Sequence, residues 1–242
     1  MGKLDRLNTL LHKVGFELTR HNKGTNGILR RKAILEKYSV DLIIDVGANT
    51  GIFGREVRKS GYNGRIASFE PIVNAFEKLA RSAKNDANWK IYNFALGNQN
   101  GKQVINISAN SHSSSILEIL DTHTNAEATA SYIGKQEIQI CTLDSIFHDI
   151  KGTAKEIFLK IDTQGFELSV LQGAMDSLKE ISTIQLELSL QPLYSEQPLY
   201  NDLMSFLFSY GYKLIDVEPG FADSKTGTLF QFDGIFRRPE SI

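Results

Sequence analysis

The sequence predicts a doubly wound α/β fold, and three observations carry that expectation. From position 41 onward, short and nearly uninterrupted apolar runs alternate with helical stretches, the pattern of parallel strands buried on both faces. The first run ends in a glycine-bearing turn, Asp45-Val46-Gly47-Ala48-Asn49-Thr50-Gly51, where strand gives way to helix. The second run ends in an acidic residue, Glu70.

Taken in order, Leu4, Leu7, Leu11, Val14 and Leu18 recur at steps of three and four, so residues 3 to about 19 read as an amphipathic helix, weakened by Gly15. Ile28, Leu29, Ile34 and Leu35 among basic residues suggest a second helix over about 27–38. The two form an N-terminal helical arm, 1–40, a lid or packing element ahead of a core domain over 41–242. Strands follow at 42–46, 66–69 and 91–96, and Pro71 suits the first turn of a helix carrying Ala75, Phe76, Leu79 and Ala80. Between residues 98 and 142 an insertion interrupts the alternation, with a turn at Asn100-Gly101 and strands near 104–107 and 138–141. Its Ser/Thr/Asn-rich centre, roughly 108–135, reads as the mobile part, expected to order over a substrate. Strands at 157–161 and 184–188 flank a helix over 166–178. A helix over 199–210 stops at Gly211, and 212–217 with 229–236 read as a closing antiparallel pair.

At 242 residues and 41% hydrophobic content, one large single-core domain is expected. The charge balance, 27 basic against 28 acidic residues, and the absence of long basic runs argue against a nucleic-acid partner. Cys141 is the sole cysteine, which excludes an internal disulfide and a Cys-rich zinc site and fits a reducing compartment. The first fifteen residues lack the apolar core of a signal peptide, and no stretch approaches the roughly 18 apolar residues that span a bilayer. A cytoplasmic protein without a membrane span is expected, and an assembly of identical copies stays open.

The turn after the first strand lies in the crevice where open α/β sheets bind ligands. Gly47 and Gly51 allow a sharp turn and a close approach to a ligand. A dinucleotide fingerprint would require glycine at Asn49, so a nicotinamide cofactor is disfavoured. Glu70, 19 residues after Gly51, can accept both hydroxyls of a ribose. Asp45 suits a cationic sulfonium better than a pyrophosphate, which favours S-adenosylmethionine.

The motifs Asp45-Val-Gly-Ala-Asn-Thr-Gly51, Phe69-Glu70-Pro71, Asn93-Phe-Ala95-Leu96-Gly97, Leu159-Lys160-Ile161-Asp162-Thr163-Gln164-Gly165-Phe166-Glu167, Val170-Leu171-Gln172-Gly173 and Ile184-Gln-Leu-Glu187 stand in one chain in this order. Together they resemble the FkbM family of methyltransferases over about residues 40–236. The resemblance implies a Rossmann-like class I methyltransferase fold: a seven-stranded, mostly parallel sheet with an antiparallel last strand. It implies S-adenosylmethionine held by Asp45, Gly47, Asn49, Gly51, Glu70, Pro71, Asn93, Ala95 and Asp162. It further implies O-methylation of a sugar hydroxyl in a polysaccharide, glycolipid or natural product. Gln164 departs from the acid that many members carry, so a third carboxylate has no role there.

Candidate catalytic residues follow from position. Lys160 and Asp162, two apart at a strand end, share a face at the crevice, although they could also simply pair with each other. Glu187 lies inside an apolar run where a carboxylate needs a partner. Glu167 suits the helix N-terminus, and His112 in the polar insertion could serve as a general base. His12, His21, His123 and His148 have weaker claims. A sulfonium methyl is already activated, so the enzyme must align the acceptor and take up a proton. Asp162 and Glu187 end successive strands and can act there as base and orienting acid, or as ligands of Mg²⁺, Mn²⁺ or Ca²⁺. N- or C-methylation of a natural product, and a non-catalytic S-adenosylmethionine-binding protein, are the alternatives.

Overall fold

The structure of the protein, a computed structural model, describes residues 3–239. Met1, Gly2 and residues 240–242, which the expected arm and domain take in, lie outside the described residues. The strands are β1 Leu42–Val46, β2 Arg65–Phe69, β3 Trp89–Tyr92, β4 Ala95–Leu96, β5 Gly101–Ser108, β6 Tyr132–Cys141, β7 Ile157–Ile161, β8 Thr183–Ser189, β9 Lys213–Pro219 and β10 Gln231–Arg237. The helices are α1 Lys3–Leu11, α2 Gly27–Lys37, α3 Ile52–Lys59, α4 Val73–Ala83, α5 Asp121–Ala126, α6 Leu143–Lys151, α7 Glu167–Gln172 and α8 Tyr200–Ser209.

Seven strands form one sheet in the order β3-β2-β1-β7-β8-β10-β9, with β10 antiparallel to both neighbours. This is the expected doubly wound, Rossmann-like sheet. The order reverses after β1, between β1 and β7, so the carboxyl ends of those strands open a crevice. Strand alternation divides the core. Leu42, Ile44, Val46, Leu159 and Ile161 face one layer with Leu143, Phe147, Val170, Leu203 and Leu207. Ile43, Ile66 and Phe158 face the other with Leu35, Phe53, Val57, Leu79 and Trp89. Each such side chain, once buried, contributes about 1.5–3 kcal/mol, so these layers fix the strand ends that carry the site.

Several elements depart from the sequence expectation. α1 stops at Leu11, a single 3₁₀ turn covers His12–Val14, and Gly15 turns the chain at φ 79°. The run expected as one strand over 91–96 splits at Asn93, whose side-chain amide donates to the carbonyls of Glu70 and Pro71 at 2.9 and 3.1 Å. Ala95-Leu96 then joins a separate three-stranded sheet with β5 and β6. Pro71 precedes α4, which begins at Val73 behind Ile72. α7 ends early because Gly173 packs on the backbone of Gly97, with 1.8 Å between an added Cβ and the Gly97 carbonyl oxygen. α6 was not anticipated, although Thr142 caps it by accepting from the Ser145 amide, and Leu143, Phe147 and Ile150 are buried at helical spacing.

The polar insertion is packed rather than splayed. Ser108, Ser113, Ser114, Ser115 and His123 are buried, and Asn106 pairs with Ser115 through the backbone.

Candidate active site

The turn from β1 to α3 is shaped by its own protein neighbours. Gly47 has φ 76°, and a Cβ there would stand 1.9 Å from the carbonyl oxygen of Asp162. Gly51 has φ 79° and faces Leu79 and Trp89. Glycine is therefore required by the close approach of the β7 end and the α4 layer, whereas the sequence reading credited the approach of a ligand. The amides of Gly47 and Ala48 both donate to the carbonyl of Phe69, which ties the turn to the end of β2.

Glu70 closes the next corner. One carboxylate oxygen accepts from the Asn49 amide at 2.8 Å and the other from the Ile72 amide at 2.8 Å. Each oxygen keeps a lone pair for a further donor. Burial pushes its pKa up to about 7 despite those two amides.

A cleft opens beside it, lined by Gly47, Asn49, Glu70, Pro71, Asp162 and Glu187 among polar and turn residues, and by Ile72, Ala95, Leu96, Ile105, Ile116 and Phe166 as an apolar wall. Ser111, His112 and Ser114 reach it from the insertion. Asn49 Nδ2 donates to the carbonyl of Ser111 at 2.9 Å, so the turn after β1 and the insertion meet across its mouth.

Asp45 and Lys160 lie behind this surface. Asp45 is fully buried, accepts from Ser68 Oγ at 3.0 Å, and stands 3.5 Å from Lys160 Nζ. Ser68 Oγ in turn accepts from Trp89 Nε1 at 2.9 Å. Lys160 Nζ is 3.1 Å from Asp162 Oδ2. Burial raises the pKa of Asp45. Burial works to lower that of Lys160, but Asp162 and Asp45 outweigh it and hold the ammonium above its ordinary value. The pattern follows from register: Asp45 faces Ser68 on one side and Lys160 on the other. The expected direct contact of Asp45 with a sulfonium gives way to a supporting position, because Asp45 is fully buried and does not line the cleft.

Asp162 and Glu187 do converge on the cleft, but Gln164 stands between them. Its Nε2 donates to Asp162 Oδ1 at 3.0 Å and to Glu187 Oε2 at 2.7 Å. Gln231 Nε2 adds a second donor to Glu187 Oε2 at 2.7 Å. Burial, then the charges of Asp162, Glu167 and Asp233, raise the Glu187 pKa well above the usual range. The amide is held at its far end too, since the Tyr194 hydroxyl donates to Gln164 Oε1 at 2.8 Å. Ser115 Oγ donates to the Gln164 carbonyl at 2.6 Å, and Gln164 sits at φ 56°, a strained conformation for a side chain of that size.

This arrangement does not fit the divalent ion considered from sequence. A cation between the carboxylates would meet an N–H donor, and among the described residues no three His, Cys, Asp or Glu side chains are grouped to hold a metal. The Gln164 amide, donating to both carboxylates, occupies the place a bridging cation would take. Glu167, read as a helix-terminus charge, instead folds back to accept from the amides of Thr163 and Gly165 at 2.8 and 3.2 Å, closing the turn after β7. Asn93 braces backbone carbonyls, and His112 lines the cleft. Gln164 entered the sequence reading only as a departure from an acid, while Tyr194 and Gln231 went unnoticed. No local motif marks the last two; their roles arise from pairing of distant segments.

Residues 45–214 match the sequence profile of the methyltransferase FkbM domain. The chain belongs to that family. Members are S-adenosylmethionine-dependent methyltransferases, and the cleft suits that cofactor: Glu70 has acceptor capacity for ribose hydroxyls, and the apolar wall suits a flat base. No curated protein sequence matches the chain. Among solved structures, it is similar to methyltransferase FkbM from Methylobacillus flagellatus KT at 14% identity and TM-score 0.45, covering 81% of this chain and 43% of that one. The chain thus spans less than half the length of that relative. Fibrillarin from Aeropyrum pernix, crystallised with natively bound S-adenosyl-L-methionine, is similar at 11% identity and TM-score 0.45, covering 81% and 66%. TehB from Haemophilus influenzae is similar at 10% identity and TM-score 0.48, covering 89% and 64%.

Proposed function

We propose that this FkbM-type methyltransferase methylates a hydroxyl oxygen of a carbohydrate-bearing acceptor, with Glu187 as the general base. When bound, S-adenosylmethionine supplies a methyl group already activated on sulfur. Glu70 receives the ribose hydroxyls, the wall of Ile72, Ala95, Leu96 and Phe166 takes the adenine, and Asp162 faces the cationic end. A sugar hydroxyl is a poor nucleophile at neutral pH and must give up its proton as the new bond forms.

The observation that supports Glu187 is its asymmetry. Oε2 is committed to two amide donors, Gln164 and Gln231, while the residue lines the cleft. That leaves Oε1 to take the acceptor proton, and a raised pKa makes the carboxylate a stronger base than a surface glutamate. Gln164 orients it and keeps the Asp162 charge from opposing its ionisation further.

The test is transfer from methyl-labelled S-adenosylmethionine to mono- and oligosaccharide acceptors, with the product linkage read by NMR. A methyl ether is expected, and Glu187→Gln should slow its formation at least about a hundredfold while cofactor affinity stays within a few-fold. Label arriving on nitrogen or carbon would refute the acceptor class. Cofactor binding with no transfer to any acceptor would favour a non-catalytic binding protein.

A further inference from the structure

The N-terminal arm is an ordered element without a core. α1 is followed by the turn at Gly15, and the chain then doubles back: the Phe16 amide donates to the Leu11 carbonyl at 3.0 Å. The Asn8 side chain clamps Leu18 through two hydrogen bonds, donating to its carbonyl at 2.9 Å and accepting from its amide at 2.8 Å. Leu4, Leu7, Leu10, Val14, Phe16 and Leu18 are nonetheless all exposed, Phe16 at 68%. Six large apolar side chains within fifteen residues, on a folded support, form a patch that a solvated surface does not sustain without a partner.

Charge indicates which partner. Up to Lys23 the sequence holds five basic residues and two acidic ones, whereas the remainder holds 22 and 26. The arm is cationic on an otherwise anionic protein. Most of the other exposed large apolar residues, such as Ile52, Val73, Ile133, Met175 and Phe208, lie on separate elements, and the pair that shares one, Ile215 and Val217 on the edge strand β9, is smaller than the arm's six.

We propose that the arm docks on an anionic phospholipid surface, its leucines and Phe16 entering the headgroup boundary and its Lys and Arg side chains meeting lipid phosphates. Apolar side chains next to basic ones on a short helix have the composition of an element that lies in a bilayer interface. It lies on the membrane rather than crossing it, for no helix among the described residues is long and apolar enough to span one.

At the root of the arm, Gly27, at the start of α2, packs directly on the Glu218 carboxylate. Glu218 pairs with Asp233 across β9 and β10, and Asp233 pairs with Glu187 across β10 and β8. Arm and cleft therefore share the carboxyl rim of the sheet, two strand spacings or about 10 Å apart.

The test is flotation of the full chain with vesicles of phosphatidylcholine alone and of an equimolar mixture with phosphatidylglycerol, alongside the Leu7→Asp/Leu10→Asp double variant and Lys13→Glu. Binding to the anionic vesicles only, weakened by salt, is expected; the double variant should lower it at least about tenfold and Lys13→Glu severalfold. Circular dichroism and the cofactor-induced rise in Tm report that the variants remain folded. No flotation with anionic vesicles, or flotation unchanged in the double variant, overturns the proposal. Dimers that light scattering detects in the native chain and that the double variant abolishes would instead assign the arm to a second copy and overturn it equally.

Discussion

Glu70→Gln probes the cofactor site through a property that does not require the acceptor. In the native protein burial places the Glu70 pKa at about 7, against 4.5 for an unperturbed glutamate. A raised carboxyl pKa favours the folded state while the group is protonated, so its contribution is fully present below about pH 4.5 and is lost as pH rises through about 7. The interval corresponds to about 3.5 kcal/mol at ~1.4 kcal/mol per pH unit. Cofactor binding responds in the opposite sense. In the proposed site the ribose hydroxyls donate to the carboxylate, so the binding-competent form is the ionised one, about one molecule in eleven at pH 6 and ten in eleven at pH 8, and apparent affinity should rise about tenfold across that range.

Glutamine at position 70 removes the titration. Its amide nitrogen would also face the backbone N–H of Asn49 or Ile72, each now 2.8 Å from a carboxylate oxygen. Loss of a hydrogen bond to a charged acceptor costs roughly 1.5–3 kcal/mol. Calorimetric titration with S-adenosylhomocysteine at pH 6, 7 and 8, in buffers of different ionisation enthalpy, separates affinity from proton release. The native protein should release a proton on binding near pH 6 and bind more tightly as pH rises; Glu70→Gln should bind more weakly with little pH dependence. A native affinity that is flat with pH, or a pH dependence that survives in Glu70→Gln, would refute this account of the ribose corner.

Three further outcomes follow from the same geometry. Gly47→Ala places a Cβ 1.9 Å from the Asp162 carbonyl at φ 76°, so it should lose at least ~2 kcal/mol from backbone strain and displacement of the β7 end, read as a fall in Tm of several degrees; an unchanged Tm would show that the turn can move aside. Lys160→Met leaves the wholly buried Asp45 without its cation and should cost about 3–5 kcal/mol in urea denaturation; a neutral result would mean that Ser68 alone suffices. Because the Gln164 amide separates Asp162 and Glu187, EDTA should leave turnover unchanged, and activity lost to the chelator but regained with Mg²⁺ would reinstate a metal.

Much of the architecture was legible because strands buried on both faces leave an unmistakable mark. Leu42–Val46 and Ile157–Ile161 are apolar but for one polar residue each, Asp45 and Lys160, and both ranges coincide with the observed strands. Their polar members were visible; their pairing was not, because register between β1 and β7 depends on segments more than a hundred residues apart. The arm misled in the other direction. Spacing of Leu4 through Leu18 fits one long helix, but hydrophobic periodicity cannot weigh Gly15 against the Asn8 clamp that folds the segment back. The cleft was legible at the ends of β1, β2, β7 and β8. It was illegible where the decisive group comes from a loop, as with Tyr194, or from a strand paired from far along the chain, as with Gln231 of β10.

The distribution of strain at the cleft shows how these loops serve it. Asn49, Ser111 and Gln164 are non-glycine residues at φ 47°, 63° and 56°, each worth roughly 1–3 kcal/mol of unfavourable backbone energy. All three are held by bonds to one another's segments. Asn49 Nδ2 reaches the Ser111 carbonyl, Ser115 holds the Gln164 carbonyl, and Tyr194 approaches both Gln164 Oε1 and the Ser113 carbonyl. The insertion, expected from sequence to be the mobile part that orders over a substrate, also contributes Ser115 to the brace that holds Gln164 in its strained conformation. That conformation puts one amide within reach of both Asp162 and Glu187. Without the brace, relaxation of Gln164 would remove the donor shared by the two carboxylates and leave their like charges facing each other across the cleft. The strain at the cleft mouth therefore goes with holding one amide between Asp162 and Glu187.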